Sequence, residues 1–139
     1  MSYQYANNAA ATQQSSFGLS PNLAALISYI WIPITSVLVL VTEKENRMVR
    51  FHAWQSIFLG CGFAALSIVL SIVIGIIMLV AGAISPYAGI LVSVLSLIVW
   101  MIIALVMLGV WVFCLIKAYQ GAIYRLPLVG KFAEQIANK

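Results

Sequence analysis

One histidine, two cysteines and a short run of charge are the side chains with chemistry to offer. Five of the ten charged residues fall in "EKENRMVRFHAWQS", residues 43–56, between two apolar runs. His52 lies there, and an imidazole can act as base or metal ligand near neutral pH. Those roles need a partner, and no paired carboxylate, Ser–His or Cys–His arrangement accompanies it. We read His52 as a hydrogen-bonded structural residue at the interface, beside Arg50. Cys61 and Cys114 sit inside apolar runs and read as small buried hydrophobes, without metal-ligand spacing or a disulfide framework. A reactive thiol needs an electropositive, partly exposed setting, which neither has. We therefore expect no catalytic, cofactor or metal site, and no enzyme.

The elements that must position these residues are apolar. Hydrophobic residues make up 64% of the chain, charged residues 7%, and the mean hydropathy is +1.09. Soluble domains are about half apolar. Three runs approach or exceed the roughly 20 uncharged residues that a bilayer core requires: residues 23–42, 57–83 and 87–116. The expected fold is all-α, a small polytopic membrane protein of about three transmembrane helices plus interfacial amphipathic segments. Its membrane domain covers residues 20–118.

Residues 1–19 are polar, lack a basic stretch and do not read as a signal peptide. They form a tail too poor in apolar surface to fold alone, disordered or ordered by a partner. Ser20 can cap the first helix and Pro21 suits its first position. Pro33 should kink that helix, or break it into a hinge or re-entrant segment. Ser85-Pro86 stops the second span and makes a turn.

Lys44, Arg47 and Arg50 lie between the first and second spans, and Lys117, Arg125, Lys131 and Lys139 follow the third. Positive residues mark the cytoplasmic side. Three spans then place the N-terminus outside and the C-terminus inside, in a bacterial-type inner (plasma) membrane.

Thr42 and Glu45 have capping-box spacing, so residues 44–56 are expected as a helix lying at the interface. Met48, Phe51, Trp54 and Phe58 share one face of it and the arginines another. The segment reads as a topology anchor, its cations pairing with Glu43 and Glu45. A docking surface for anionic lipid or an acidic partner is the sharper alternative. Residues 119–139 contain Gly121, Pro127 and Gly130 and cannot span. They read as a cytoplasmic interfacial tail folding back toward Arg47 and Arg50. Tyr119, Tyr124 and Phe132 alternate there with basic residues, a mixture that fits anionic headgroups better than nucleic acid.

Three segments in order, "LSPNLAALISYI", "EKENRMVRFHAWQS" and "GAIYRLPLVGKFAE", resemble the Tic-twenty-like family. That family comprises the small membrane subunit of the chloroplast inner-envelope import translocon and its prokaryotic relatives, mostly of unknown function. The resemblance runs from Leu19 to Glu134. It implies Asn46, Arg47, Arg50, Phe51, His52, Gln55, Tyr124, Arg125 and Pro127 as motif positions for partner or lipid contact, and a link to protein translocation. Plastid members are usually drawn with four spans, one more than here.

Small residues recur at helical spacing within the spans. Gly60, Ala64, Ser67, Ser71 and Gly75 mark the second, and Gly89, Ser93, Ser96 and Ala104 the third. Trp100 stands in the third where another small residue would fall. Such stripes let helix backbones approach closely. Hairpin packing of the two spans is the plainer use, and a homo-oligomer or partner-subunit interface the other. Trp100 lies below headgroup depth and should pack against small residues.

The leading expectation is a non-enzymatic subunit or accessory factor of a larger inner-membrane assembly. The rivals are an oligomeric channel or permease for a small neutral solute and an anionic-lipid-binding, membrane-organising protein.

Overall fold

The computed structural model describes residues 14–16, 18–127 and 129–137. Most of the N-terminal tail, and Lys139, lie outside the described residues. Among the described residues five helices follow in order: α1 (Pro21–Ile27), α2 (Ile34–Thr42), α3 (Arg47–Ile84), α4 (Pro86–Tyr119) and α5 (Val129–Ala137). The chain divides into two compact units. One joins the described residues up to Cys61 with those from Trp111 onward, and the other is Gly62–Val110.

The first apolar run is not one helix. Proline has no N–H for the ladder, and the chain leaves helix after Ile27, resuming at Ile34 beyond a cis Ile32–Pro33 bond. The expected span over residues 23–42 is thus corrected to two short helices. The longer, α2, has nine residues, about 13 Å at 1.5 Å per residue, well short of the roughly 30 Å hydrocarbon core. Ser20 occupies the N-cap position of α1 with Pro21 following it, but its hydroxyl makes no capping bond.

Among the described residues two helices are long and apolar enough to cross a membrane, α3 and α4. Residues 44–56 do not form a separate interfacial helix. Helix starts at Arg47 and continues unbroken into the second span, because no proline interrupts it before Pro86. Nor do Thr42 and Glu45 make the capping box. The Thr42 hydroxyl turns back to the Leu38 carbonyl at 2.7 Å, while Asn46 caps α3, its Oδ1 accepting the N–H groups of Met48 (3.1 Å) and Val49 (3.3 Å). α4 opens at Pro86, and the Ser85 hydroxyl accepts the Ala88 N–H at 3.1 Å. It closes on Gly121, whose φ of 66° ends the helix in the left-handed region. The Gly121 and Ala122 N–H groups then return to the carbonyls of Ala118 and Lys117, a Schellman closure.

In the unit Gly62–Val110, half-buried residues recur every three or four positions on both helices. Phe63, Ser67, Leu70 and Ile74 mark α3, and Gly89, Ser93, Ser96, Trp100 and Ile103 mark α4. An open apolar groove of about 300 Å³ separates the rows, lined by Leu70, Ile74, Ile77, Val92, Ser96 and Val99 among others. Near the turn, Gly89 lies so close to Gly82 that a side chain on Gly89 would touch the Gly82 backbone.

Candidate functional site

The polar interior lies in the first unit, around the break between α1 and α2. A broken helix strands backbone carbonyls, and burying one without a partner is costly. The Ser28 carbonyl takes the hydroxyls of Ser36 and Ser56, each at 2.7 Å, and the two hydroxyls lie 2.8 Å apart. The Tyr29 carbonyl would have met the N–H that Pro33 lacks. It accepts instead the indole N–H of Trp111 at 2.8 Å. Side chains of neighbouring helices thus repair the ladder, as membrane interiors require.

Immediately beside this repair, Tyr29, His52, Gln55 and Cys114 come together, all fully buried. The Tyr29 hydroxyl lies 3.2 Å from His52 Nδ1, and the Gln55 amide donates to Cys114 Sγ at 3.8 Å. Phe51 and Tyr29 set their rings edge-on to the imidazole at 5.4 and 5.9 Å. His52 is therefore buried within the protein, beside the Tyr29 hydroxyl and between aromatic rings. The Ala122 backbone lies near the ring, and its Nε2 is without a full hydrogen bond among the described residues. Among those residues no three His, Cys, Asp or Glu side chains gather as a metal site would require.

A second polar node surrounds Glu43. Its carboxylate accepts the Ser16 N–H (2.7 Å) and hydroxyl (2.9 Å), and the N–H groups of Asn46 (2.9 Å) and Glu45 (3.2 Å). Burial works against its charge, but the donors from Asn46, Ser16 and Glu45 outweigh it and hold the pKa below 4.5. Glu43 serves the backbone and does not pair with the cations of its segment, contrary to expectation.

The arginines are met from the far end of the chain. Glu134 on α5 takes Arg47 at 3.1 Å and Arg125 at 2.6 Å. Beneath this clasp Phe51 packs with Ala133 and Ala137, flanked by Trp54, Phe58 and Ile123. Gly130 sits directly on the Arg125 backbone, where a side chain would collide. Arg50, Lys44 and Lys131 have no carboxylate partner among the described residues, and Lys117 lies over the Phe113 ring at 5.6 Å.

The motif positions thus divide. Asn46, at the N-cap, and Arg47, Arg50, Phe51, His52 and Gln55 cover the cap and roughly the first two turns of α3 inside the first unit. Tyr124 stands edge-on to Phe113 at 4.9 Å, Arg125 joins the clasp, and Pro127 is exposed ahead of α5. Of the small residues on α3, Gly60 lies under Ile32, whose side chain a methyl there would strike. Ser67 is half-buried, while Ala64, Ser71 and Gly75 are exposed. Ala104 on α4 is exposed too. Ser28, Tyr29, Ser36, Ser56, Trp111 and Cys114 are not among the candidate positions read from the sequence, although Ser28, Tyr29 and Ser56 lie inside the quoted segments. The three serines are joined by their own hydrogen bonds, Trp111 by its bond to the Tyr29 carbonyl and Cys114 by Gln55, contacts between separate elements that sequence spacing does not reveal.

α3 and α4, long and apolar enough to cross a membrane, point to an integral membrane protein, the class to which the similar proteins also belong. The family described as the magnetosome magnetite crystal formation protein family, MamF/MmsF, matches residues 13–133, and the chain belongs to it. A UPF0132 membrane protein of Methanocaldococcus jannaschii is 34% identical over 128 residues, covering 90% of this chain and 96% of the relative. One from Archaeoglobus fulgidus is 37% identical over 117 residues, covering 84% and 95%. No solved structure matches. These matches overturn the Tic-twenty-like resemblance. Its three segments turn on residues that serve the fold, the Asn46 cap and the Glu134 clasp among them, so they are a poor guide to one function. The protein-transport reading falls with it.

Proposed function

We propose that the protein is a non-enzymatic organiser of the membrane it occupies, holding anionic lipid headgroups at its basic end, which faces the cytoplasm. One observation carries this reading. Glu134 pairs with both Arg47 and Arg125 and offsets one of their two charges, whereas Lys44, Arg50 and Lys131 have no carboxylate partner among the described residues. Each such cation near an anionic surface contributes about 1 kcal/mol. The asymmetric placement of Lys and Arg supports the orientation. The buried polar side chains bind one another and helix backbone, which supports a structural use. The family's description names magnetite crystal formation. Iron oxides favour oxygen donors, and of the chain's three carboxylates Glu43 and Glu134 are already engaged. We therefore carry over the membrane setting and not mineral contact.

The test is native mass determination after gentle solubilisation, with co-eluting lipids identified. The parent should retain anionic lipid, and a K44Q/R50Q/K131Q variant should lose it several-fold at unchanged thermal stability. Retention of zwitterionic lipid alone, or an unaffected variant, rejects the reading. A second reading, a subunit of a larger assembly, draws on Ala64, Ser71 and Gly75, small and exposed on α3, which suit close approach by another helix. Co-elution of unrelated chains at fixed stoichiometry would support it, and a monomer or pure homo-oligomer would reject it.

A further inference from the structure

The first apolar run, expected to cross the membrane, pairs with the rest of its unit in a sequence of rungs. At the outer end, Ser16 meets Glu43, so the residues before α1 and after α2 lie side by side. The start of α1 also meets the end of α4, where the Asn22 amide donates to the Tyr119 carbonyl at 2.9 Å. Further in, Ala24 of α1 and Val39 of α2 share a cluster with Val49 and Ala53 of α3. Then come Tyr29 against His52 and Trp111, Ser28 and Ser36 against Ser56, and finally Ile32 against Gly60. Both short helices thus run along the same opening stretch of α3, one inward and one back.

The depth follows from α3 itself. Arg50 is its last charged residue before the apolar stretch, and Gly60 lies ten residues on, about 15 Å at 1.5 Å per residue. That is half of the roughly 30 Å hydrocarbon core. The turn between α1 and α2 therefore ends near mid-membrane. Its outward surface is apolar throughout: Ile30, Trp31, Ile34, Leu38 and Val41 are all more than half exposed. Lys44 follows the returning helix and Lys117 lies two residues before Tyr119.

We propose that residues 20–42 form a re-entrant helical hairpin seated in the lipid of one leaflet, entered and left at the basic face, so that the N-terminus lies on the same side as the C-terminus. The occupant of its exposed face is the acyl-chain region of that leaflet, and the cations at its mouth match anionic headgroups. This stands apart from the headgroup reading above, since a re-entrant hairpin needs no lipid preference.

The experiment places single cysteines in the full-length protein in sealed vesicles and labels them with a membrane-impermeant maleimide. The reporters are Q14C ahead of α1, Q135C on α5 and Y87C at the turn between α3 and α4, all at exposed positions. S2C provides a second N-terminal reporter should Q14C disturb Ser15 and Ser16. The parent, with Cys61 exposed on the apolar stretch of α3 and Cys114 buried, sets the background. Q14C and S2C should label with Q135C and opposite to Y87C. Either N-terminal reporter labelling with Y87C while Q135C does not would overturn the proposal. Equal labelling of all reporters would overturn it as well, by removing the crossing of α3 and α4 on which it stands.

Discussion

At the scale of single residues, Glu43 shows how a charge is kept where hydropathy argues against it. Four hydrogen-bond contacts from backbone and serine meet one carboxylate. Bonds to a charged group contribute about 1.5–3 kcal/mol each, so Glu43→Gln should lower stability by roughly 2 kcal/mol, measured by thermal unfolding in detergent. Glu45→Gln, at an exposed position, should cost far less. The pH dependence has a definite sign. Because the folded pKa lies below 4.5, the contribution is complete above that pH and fades as pH falls through the folded value. The gap between the parent and Glu43→Gln should close on acidification below pH 4.5 and stay constant above it. Trp111 offers a second residue-scale test. Trp111→Phe keeps most of the ring but strands the Tyr29 carbonyl, and should cost about 1–3 kcal/mol as an unsatisfied buried acceptor.

Between elements, two contacts decide where short helices lie on long ones. Gly60 leaves room for Ile32, and Gly60→Val should push the α1–α2 turn outward at about 1–3 kcal/mol, the usual result of overpacking. Faster hydrogen exchange over residues 28–36 would locate the effect there, and unchanged exchange would refute the contact. α5 depends on Glu134. Glu134→Gln weakens both arginine contacts, and should accelerate exchange in residues 129–137 while leaving α3 protected. The energetic loss should be modest, about 1 kcal/mol, because the arginines are partly solvated. These elements also show what could be read in advance. The apolarity of α3 and α4 is legible in the uncharged runs 57–83 and 87–116, and the turn between them in Ser85-Pro86, whereas the start of α3 at Arg47 is not. Hydropathy scores polarity and not the direction of the chain, so it cannot tell a crossing segment from one that enters and returns. Pro33 marked the place, but the decisive partners, Ser56 and Trp111, lie on other helices. Likewise the Phe51–Trp54–Phe58 face was legible, whereas its cover, α5, and the shared carboxylate of Glu134 were matters of tertiary contact.

For the molecule as a whole, the apolar stretches are long. Beyond Arg50, its last charge, α3 runs on to Ile84, about 50 Å at 1.5 Å per residue, more than a typical hydrocarbon core of about 30 Å. Mismatch costs fractions of a kcal/mol per Å. Unfolding measured in vesicles of increasing acyl length should therefore show stability rising toward thicker bilayers. A maximum in the thinnest bilayer would mean that the helices lie strongly tilted. The distribution of charge bears on how the protein reaches the membrane at all. Between Arg50 and Lys117 the chain carries no Asp, Glu, Lys or Arg, and the turn at Ser85-Pro86 is uncharged. During biogenesis that turn can be translocated without moving a charge through hydrocarbon, so α3 and α4 are suited to enter the bilayer together as one paired insertion step.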